Sequence, residues 1–221
     1  MPRLAIGYGV LLSTLLALGC SRTLERAEKV SGLDLPGQLL GAALPAFQGL
    51  RFGMSQAEFR DRFPDAIADS LPQFITERLE ELSPELRGRF EAALRNRPSA
   101  SVTLITPPLS VVDKYPYAAR LSLDFVHNRL VRVRLLVEAR NQTEALAIEY
   151  FWLERLSRAL KRRFDPEAVT FTAATTAYGL YQWELPGPQR VILQLMPRPG
   201  GHPPYVRLLL EDLRLLESAS L

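Results

Sequence analysis

Cysteine occurs once in this sequence, at position 20, and histidine twice, at positions 127 and 202. A single thiol forms no internal disulfide, and these residues build neither a His/Cys metal site nor a Cys–His catalytic pair within one chain. The phrases G-x-x-x-x-G-K-[ST], G-x-G-x-x-G, G-x-S-x-G and H-E-x-x-H are missing from residues 20–221. Asp61 and Asp65 share a helix face only if a helix runs through Pro64, and the pair Glu211 and Asp212 has no converging partner, so paired-carboxylate chemistry has little to stand on. Charge of one sign is not in excess either. Lys plus Arg number 27 against 24 Asp plus Glu, too small a surplus to imply a nucleic-acid partner. No metal, cofactor or catalytic residue is expected.

Long apolar runs are equally scarce. The one that exists, Leu4 to Gly19, follows the single cation Arg3 and ends on Ala17-Leu18-Gly19-Cys20. Its sixteen residues, at about 1.5 Å of rise each, fall short of the ~30 Å hydrocarbon core of a bilayer. The run therefore reads as a cleaved export signal and not as a spanning helix.

Gly19 and Cys20, with Ala17 three positions before the cysteine, resemble the lipobox of bacterial lipoproteins. That resemblance implies a thioether-linked diacylglycerol on Cys20 and, after cleavage, an acylated amino group, palmitate being a typical chain. Ser21 directly after the cysteine implies carriage to the outer membrane in a host with two membranes. Each buried methylene contributes about 0.8 kcal/mol, and two or more chains hold a protein firmly at a membrane. The expected organisation is a signal peptide over residues 1–19, a lipidated tether over 20–46, and a single α+β periplasmic domain over 47–221. Cleavage before Cys20 leaves 202 residues, with 26 cationic against 24 acidic side chains.

Along the chain, Arg22 to Val30 has the composition of a short helix. Gly32, Gly37, Gly41 and Gly49, with Pro36 and Pro45, break any long period over 31–49, although Leu39, Leu40 and Phe47 are candidates to dock on the domain. Ser55 with Glu58 forms a capping box, and Met54 with Phe59 a hydrophobic staple. The helix they open is ended by Pro64. Two helices follow, Gln73 to Leu82 and Pro84 to Arg95, joined at Ser83-Pro84.

The period then changes to two. Strands are expected at 101–106, 118–126 and 130–138, the last two joined by the turn His127-Asn128-Arg129. Thr143 caps a long helix, Glu144 to Arg163, the phrase Asn141-Gln142-Thr143 reading as an N-cap, and the helix ends on a cluster of cations suited to a helix C-terminus or to anionic head groups. Strands at 178–185, 190–196 and 205–211 complete the chain, with a weaker one at 169–172. The order implies α+β architecture: an antiparallel sheet of about six strands with helices packed on one face.

Phe52-Gly53-Met54-Ser55 with Glu58 and Phe59, the hairpin Phe125-Val126-His127-Asn128-Arg129-Leu130, and the strand of Trp183 resemble segments of the small BamE-like periplasmic lipoproteins and their uncharacterised relatives. This resemblance implies a non-enzymatic role in holding or assembling envelope proteins, with an envelope protein as partner. Two alternatives stay open. Tyr150, Trp152, Tyr181 and Trp183 either pack a core between helix and sheet or line a pocket for a hydrophobic ligand, which makes a carrier or sensor. His202, in the loop 199–204, either lies on the surface or serves as a lone general base of a hydrolase.

Overall fold

The computed structural model describes residues 33–64, 67–70, 75, 79–96, 99–105, 109–110, 116–117, 119–175, 179–197 and 203–218. The signal segment, Cys20, the Arg22–Val30 stretch and His202 lie outside these residues.

Folding begins earlier than position 47. Leu35–Gly41 forms helix α1, and Pro45–Phe47 a 3-10 turn. Leu35, Leu39, Leu40, Leu44, Phe47, Leu50 and Phe52 are all buried in the main core. The expected tether over 20–46 is thus corrected over its described part, from residue 33 onward. Its glycines serve close packing instead of slack: Gly37 N–H donates to the Leu50 carbonyl at 2.8 Å, and a Cβ on Gly37 would stand 2.6 Å from that oxygen.

Helix α2, Gln56–Arg62, is built as its sequence predicts. The Ser55 hydroxyl accepts the Glu58 amide at 3.1 Å, and Met54 and Phe59 are buried on either side of the cap. The Glu58 carboxylate, however, accepts a bond from Arg51 at 3.0 Å, so the box is closed on one side only. The Phe59 ring lies 4.8 Å from that of Phe63 and 5.7 Å from that of Phe125, which locks the helix to the sheet. Of the expected 73–82 helix, Ile75 and residues 79–82 are described, and Ile75 and Leu79 are buried. Helix α3, Pro84–Asn96, follows, with Leu86 half exposed.

Among the described residues the sheet has eight antiparallel strands: β1 (Ile67–Ser70), β2 (Ala100–Ile105), β5 (Ala119–Val126), β6 (Arg129–Glu138), β7 (Thr170–Thr175), β8 (Gly179–Glu184), β9 (Gln189–Met196) and β10 (Tyr205–Asp212). A separate two-stranded ribbon pairs β3 (Leu109–Ser110) with β4 (Pro116–Tyr117). The order β1-β2-β5-β6-β10-β9-β8-β7 has a simple origin. After β6, helix α4 (Gln142–Arg163) carries the chain to the far edge, and the meander β7 to β10 folds back until its last strand meets β6. The weak strand expected at 169–172 is the full six-residue edge β7, and β1 is the other strand beyond the six foreseen.

Alternation on the strands sets two faces. Leu121, Leu123, Phe125, Val133, Leu135, Val137, Val191, Leu193, Leu195, Val206, Leu208 and Leu210 point inward, under α4 and the N-terminal segment. Near the β5–β6 turn the parity breaks. Asp124 pairs with Arg132 and Phe125 with Leu130, so Val131 is an extra residue, a bulge that turns Val131 to the other face, where ordinary alternation already places Val126. There they form a small second cluster with Ile75 and Leu79. The turn itself places His127 at φ 50° and Asn128 at φ 61°, as a two-residue hairpin of this hand requires. Asn128 Oδ1 accepts the Gln56 amide at 3.0 Å, and Leu130 N–H donates to the Met54 carbonyl at 2.9 Å. The Phe-Gly-Met-Ser phrase and the hairpin phrase are therefore neighbours in space.

Candidate functional site

Three features of the described residues stand out from ordinary packing. The first is a groove of about 230 Å³ between the C-terminal end of α4 and strands β7 and β8. Ser157, Leu160, Lys161 and Phe164, on one side of the helix at i, i+3, i+4 and i+7, form one wall. Pro166, Val169, Phe171 and Trp183 form the other. The floor is apolar, while Ser157 and Lys161 bring a hydroxyl and an ammonium group to the rim. Phe171, 51% exposed, leans on Trp183 with ring centres 5.2 Å apart and stacks on Tyr181 at 6.5 Å.

Of the four aromatic residues expected to share a pocket, Trp183 alone lines this groove. Trp152 is fully buried in the core, edge-on to Phe151. Tyr150, two positions away on the helix and hence on its opposite side, is 67% exposed. Tyr181 is half-buried and reaches the groove only through Phe171. The structure thus separates Tyr150 and Trp152 from Trp183. Sequence reading missed Leu160, Phe164, Val169 and Phe171, because β7 carried a weak strand signal; the helical spacing of Ser157, Leu160, Lys161 and Phe164 was the cue available.

The second feature is Glu149, 6% exposed on the sheet-facing side of α4 among Ile148, Trp152 and Leu156. Its Oε1 has no hydrogen-bond partner, nor has Trp152 Nε1 one turn further along. Burial pushes the Glu149 carboxyl above the usual range, and burial together with the nearby Glu149 charge raises the Tyr181 phenol. Gly179 is what lets it fit, since a Cβ there would collide with the carboxylate.

The third feature is the outer face of the sheet. One row across it reads Ser101, Asp124, Arg132, Glu211, Arg190, Glu184 on successive strands, a ladder of alternating charge. Arg132 and Arg190 hold Glu211 at 2.7 and 2.6 Å, and Arg134 holds Asp124 at 3.2 Å. Asp124 and Glu211 are each 1% exposed beneath these guanidinium groups. Two rows further along this face, beyond Leu209, Arg207 lies between Leu136 and Gln194. Its Nη2 donates to Gln194 Oε1, while its Nε has no partner. Burial, with Arg134 among the nearby charges, holds Arg207 below the usual range of its side chain. Short helix α5 (Leu213–Glu217) packs at the β6, β9 and β10 end of the sheet, and Leu136, Arg207, Leu209 and Ile192 are half-buried further along the same face.

The cations expected at the end of α4 are largely engaged within the molecule. Arg155 donates to the Ala42 carbonyl, Arg158 pairs with Glu154, and Arg163 pairs with Asp34 at 2.5 Å. The Arg155 and Arg163 bonds fasten the α1 segment to α4, while the Arg158 pair lies within α4. Among the described residues no three His, Cys, Asp or Glu side chains come together as a metal site, and no helix is long and apolar enough to cross a membrane. His127 occupies the hairpin turn, its amide bonded to the Ser99 hydroxyl. Compared with protein-family models, with curated proteins and with solved structures, the chain finds no match.

Proposed function

We propose that this protein is a lipoprotein of a bacterial envelope, anchored through acylated Cys20 on the periplasmic side of the outer membrane, and that it acts as a non-enzymatic structural or protein-interaction module. The anchor is supported by the lipobox resemblance of Gly19-Cys20. The interaction role rests on one observation, the outer sheet face. Half-buried Leu136, Leu209 and Ile192 alternate there with arginines, a mixture of apolar area and guanidinium groups typical of protein-binding surfaces.

Two experiments test the two halves. Cys20→Ala should move the protein from the membrane to the soluble periplasmic fraction, and mass spectrometry of the wild-type N-terminus should show acyl chains on Cys20. An unmodified thiol would end the anchoring half. A photo-crosslinking residue at position 209 in cells should capture a discrete envelope protein, while the same residue at position 150, on the helix layer, should not. Absence of a specific product at 209 would remove the interaction half.

The groove favours a second reading, a carrier of a hydrophobic ligand. It is supported by the apolar floor around Trp183 and by Lys161 at the rim. A dansylated undecanoic acid should then quench Trp183 by energy transfer, and Trp183→Phe should remove most of that signal. Equal transfer in the variant would count against this site.

A further inference from the structure

The two edges of the sheet are finished differently. β1 is four residues long, carries Asp69, and slips register between Ala68 and Ser70. Shortness, charge and irregularity are the devices that keep an edge from pairing with another chain. β7, at the opposite edge, has none of them. Thr170-Phe-Thr-Ala-Ala-Thr175 has no charge, proline or glycine, and pairs with β8 in unbroken register from Thr170↔Glu184 to Thr175↔Gly179. Among the described residues it is the last strand of the sheet, and residues 171–174 are exposed. Along such an edge every second residue turns its N–H and C=O away from its neighbour, ready to pair.

Beside this edge lies the groove, and Phe171 belongs to both. It pairs with Trp183 and so lies on the helix-side face, at the foot of the groove wall. A strand laid against β7 would send alternate side chains to that same face, next to an apolar space of about 230 Å³ under the end of α4.

We propose that β7 and the adjoining groove form one peptide-docking site, in which an extended segment of a partner polypeptide adds to the sheet as a further strand and places an apolar side chain beneath the end of α4. Main-chain bonds along an edge give affinity in this mode, and the pocket for alternate side chains gives selectivity. Charge narrows the occupant. β7 is neutral, and Lys161 is the one charged side chain among the residues that line the groove. The segment is accordingly uncharged where it pairs, and its binding changes little with salt.

A second copy of the chain is a poorer occupant. Self-pairing centred on Ala173 would set Thr175 of the other copy opposite Phe171, a hydroxyl where the groove is apolar. It would also engage six residues a side, against roughly 20–30 in a stable interface. The inference depends neither on Cys20 nor on the outer sheet face.

The test uses the full chain in phosphatidylcholine vesicles and a displayed library of random ten-residue peptides, with Ala174→Lys as counter-selection. Ala174 is exposed on the face away from α4, so a lysine there charges the edge without entering the core. Peptides of alternating apolar and polar character should be enriched. Their affinity should fall at least tenfold for Ala174→Lys and for Phe171→Ser, and at least tenfold when alternate peptide amides are N-methylated. Hydrogen exchange at amides 170–175 should slow at least tenfold on binding. The proposal is overturned if no peptide is enriched, if Ala174→Lys or N-methylation leaves affinity unchanged, or if protection of 170–175 rises with protein concentration alone, the mark of a second copy.

Discussion

Glu149 lies one turn before Trp152 on the core-facing side of α4, with a carboxylate oxygen that no other group bonds. Because burial raises its folded pKa above the ordinary ~4.3 of the unfolded chain, the folded state binds this proton more tightly. Its contribution to stability is full below the unfolded value and is lost as pH climbs through the raised one. Glu149→Gln should therefore melt at a higher temperature than wild type at pH 8, by a few degrees, with the gap closing at pH 4. About 1 kcal/mol corresponds to roughly 2–4 °C in a domain of this size. Thermal melts at the two pH values check it, and a constant gap would refute it. Glu211 has the opposite circumstances, a buried carboxylate held by Arg132 and Arg190. Removing one member of such a set strands the others, so Glu211→Ala should cost about 3–5 kcal/mol in denaturant unfolding.

Helix α4 shows how far a local signal reaches. Asn141-Gln142-Thr143 offers two residues able to cap a helix, and propensity alone does not choose between them. Asn141, and not the expected Thr143, is the cap: its backbone is extended, its Oδ1 accepts the Glu144 amide at 2.9 Å, and Glu144 in turn accepts the Arg140 amide at 3.0 Å. Asn141→Ala should lower stability by about 0.5–2 kcal/mol, whereas exposed Thr143→Ala should stay within about 0.5 kcal/mol of wild type. Chemical denaturation of the two variants separates them. The hairpin β5–β6 was legible down to its turn, since Asn128 suits a positive φ. Its bulge was not. Nothing in Leu130-Val131-Arg132 announces that Val131 is the unpaired residue, because that depends on which residues of β5 lie opposite.

The molecule as a whole departs from its sequence reading most at the N-terminus. Glycine and proline over 31–49 read as slack, yet those residues let α1 approach the chain at Gly49 and Leu50 closely, while its leucines close one end of the core. Leu40→Ala should cost about 2–5 kcal/mol, the range for a buried leucine, and a cost near zero in urea unfolding would restore the tether. The groove was half legible for a related reason. Trp183 could be named from its strand, but Phe171 and Leu160 join it only because α4 returns the chain to the far edge of the sheet, a placement set by long-range packing.

By itself the sequence determined the α+β class, the helix starts at Ser55 and near Asn141, the hairpin at Asn128 and the polar-apolar alternation of the central strands. Each follows from interactions within a few residues, where period, cap and turn chemistry act alone. Only the tertiary structure decided that β10 closes against β6, that Glu211 meets Arg132 79 positions away, that β7 is left as an open edge beside a groove, and that residues 33–46 belong to the core. These depend on which buried faces meet, and a chain's local pattern leaves many such meetings equally compatible until all are packed at once.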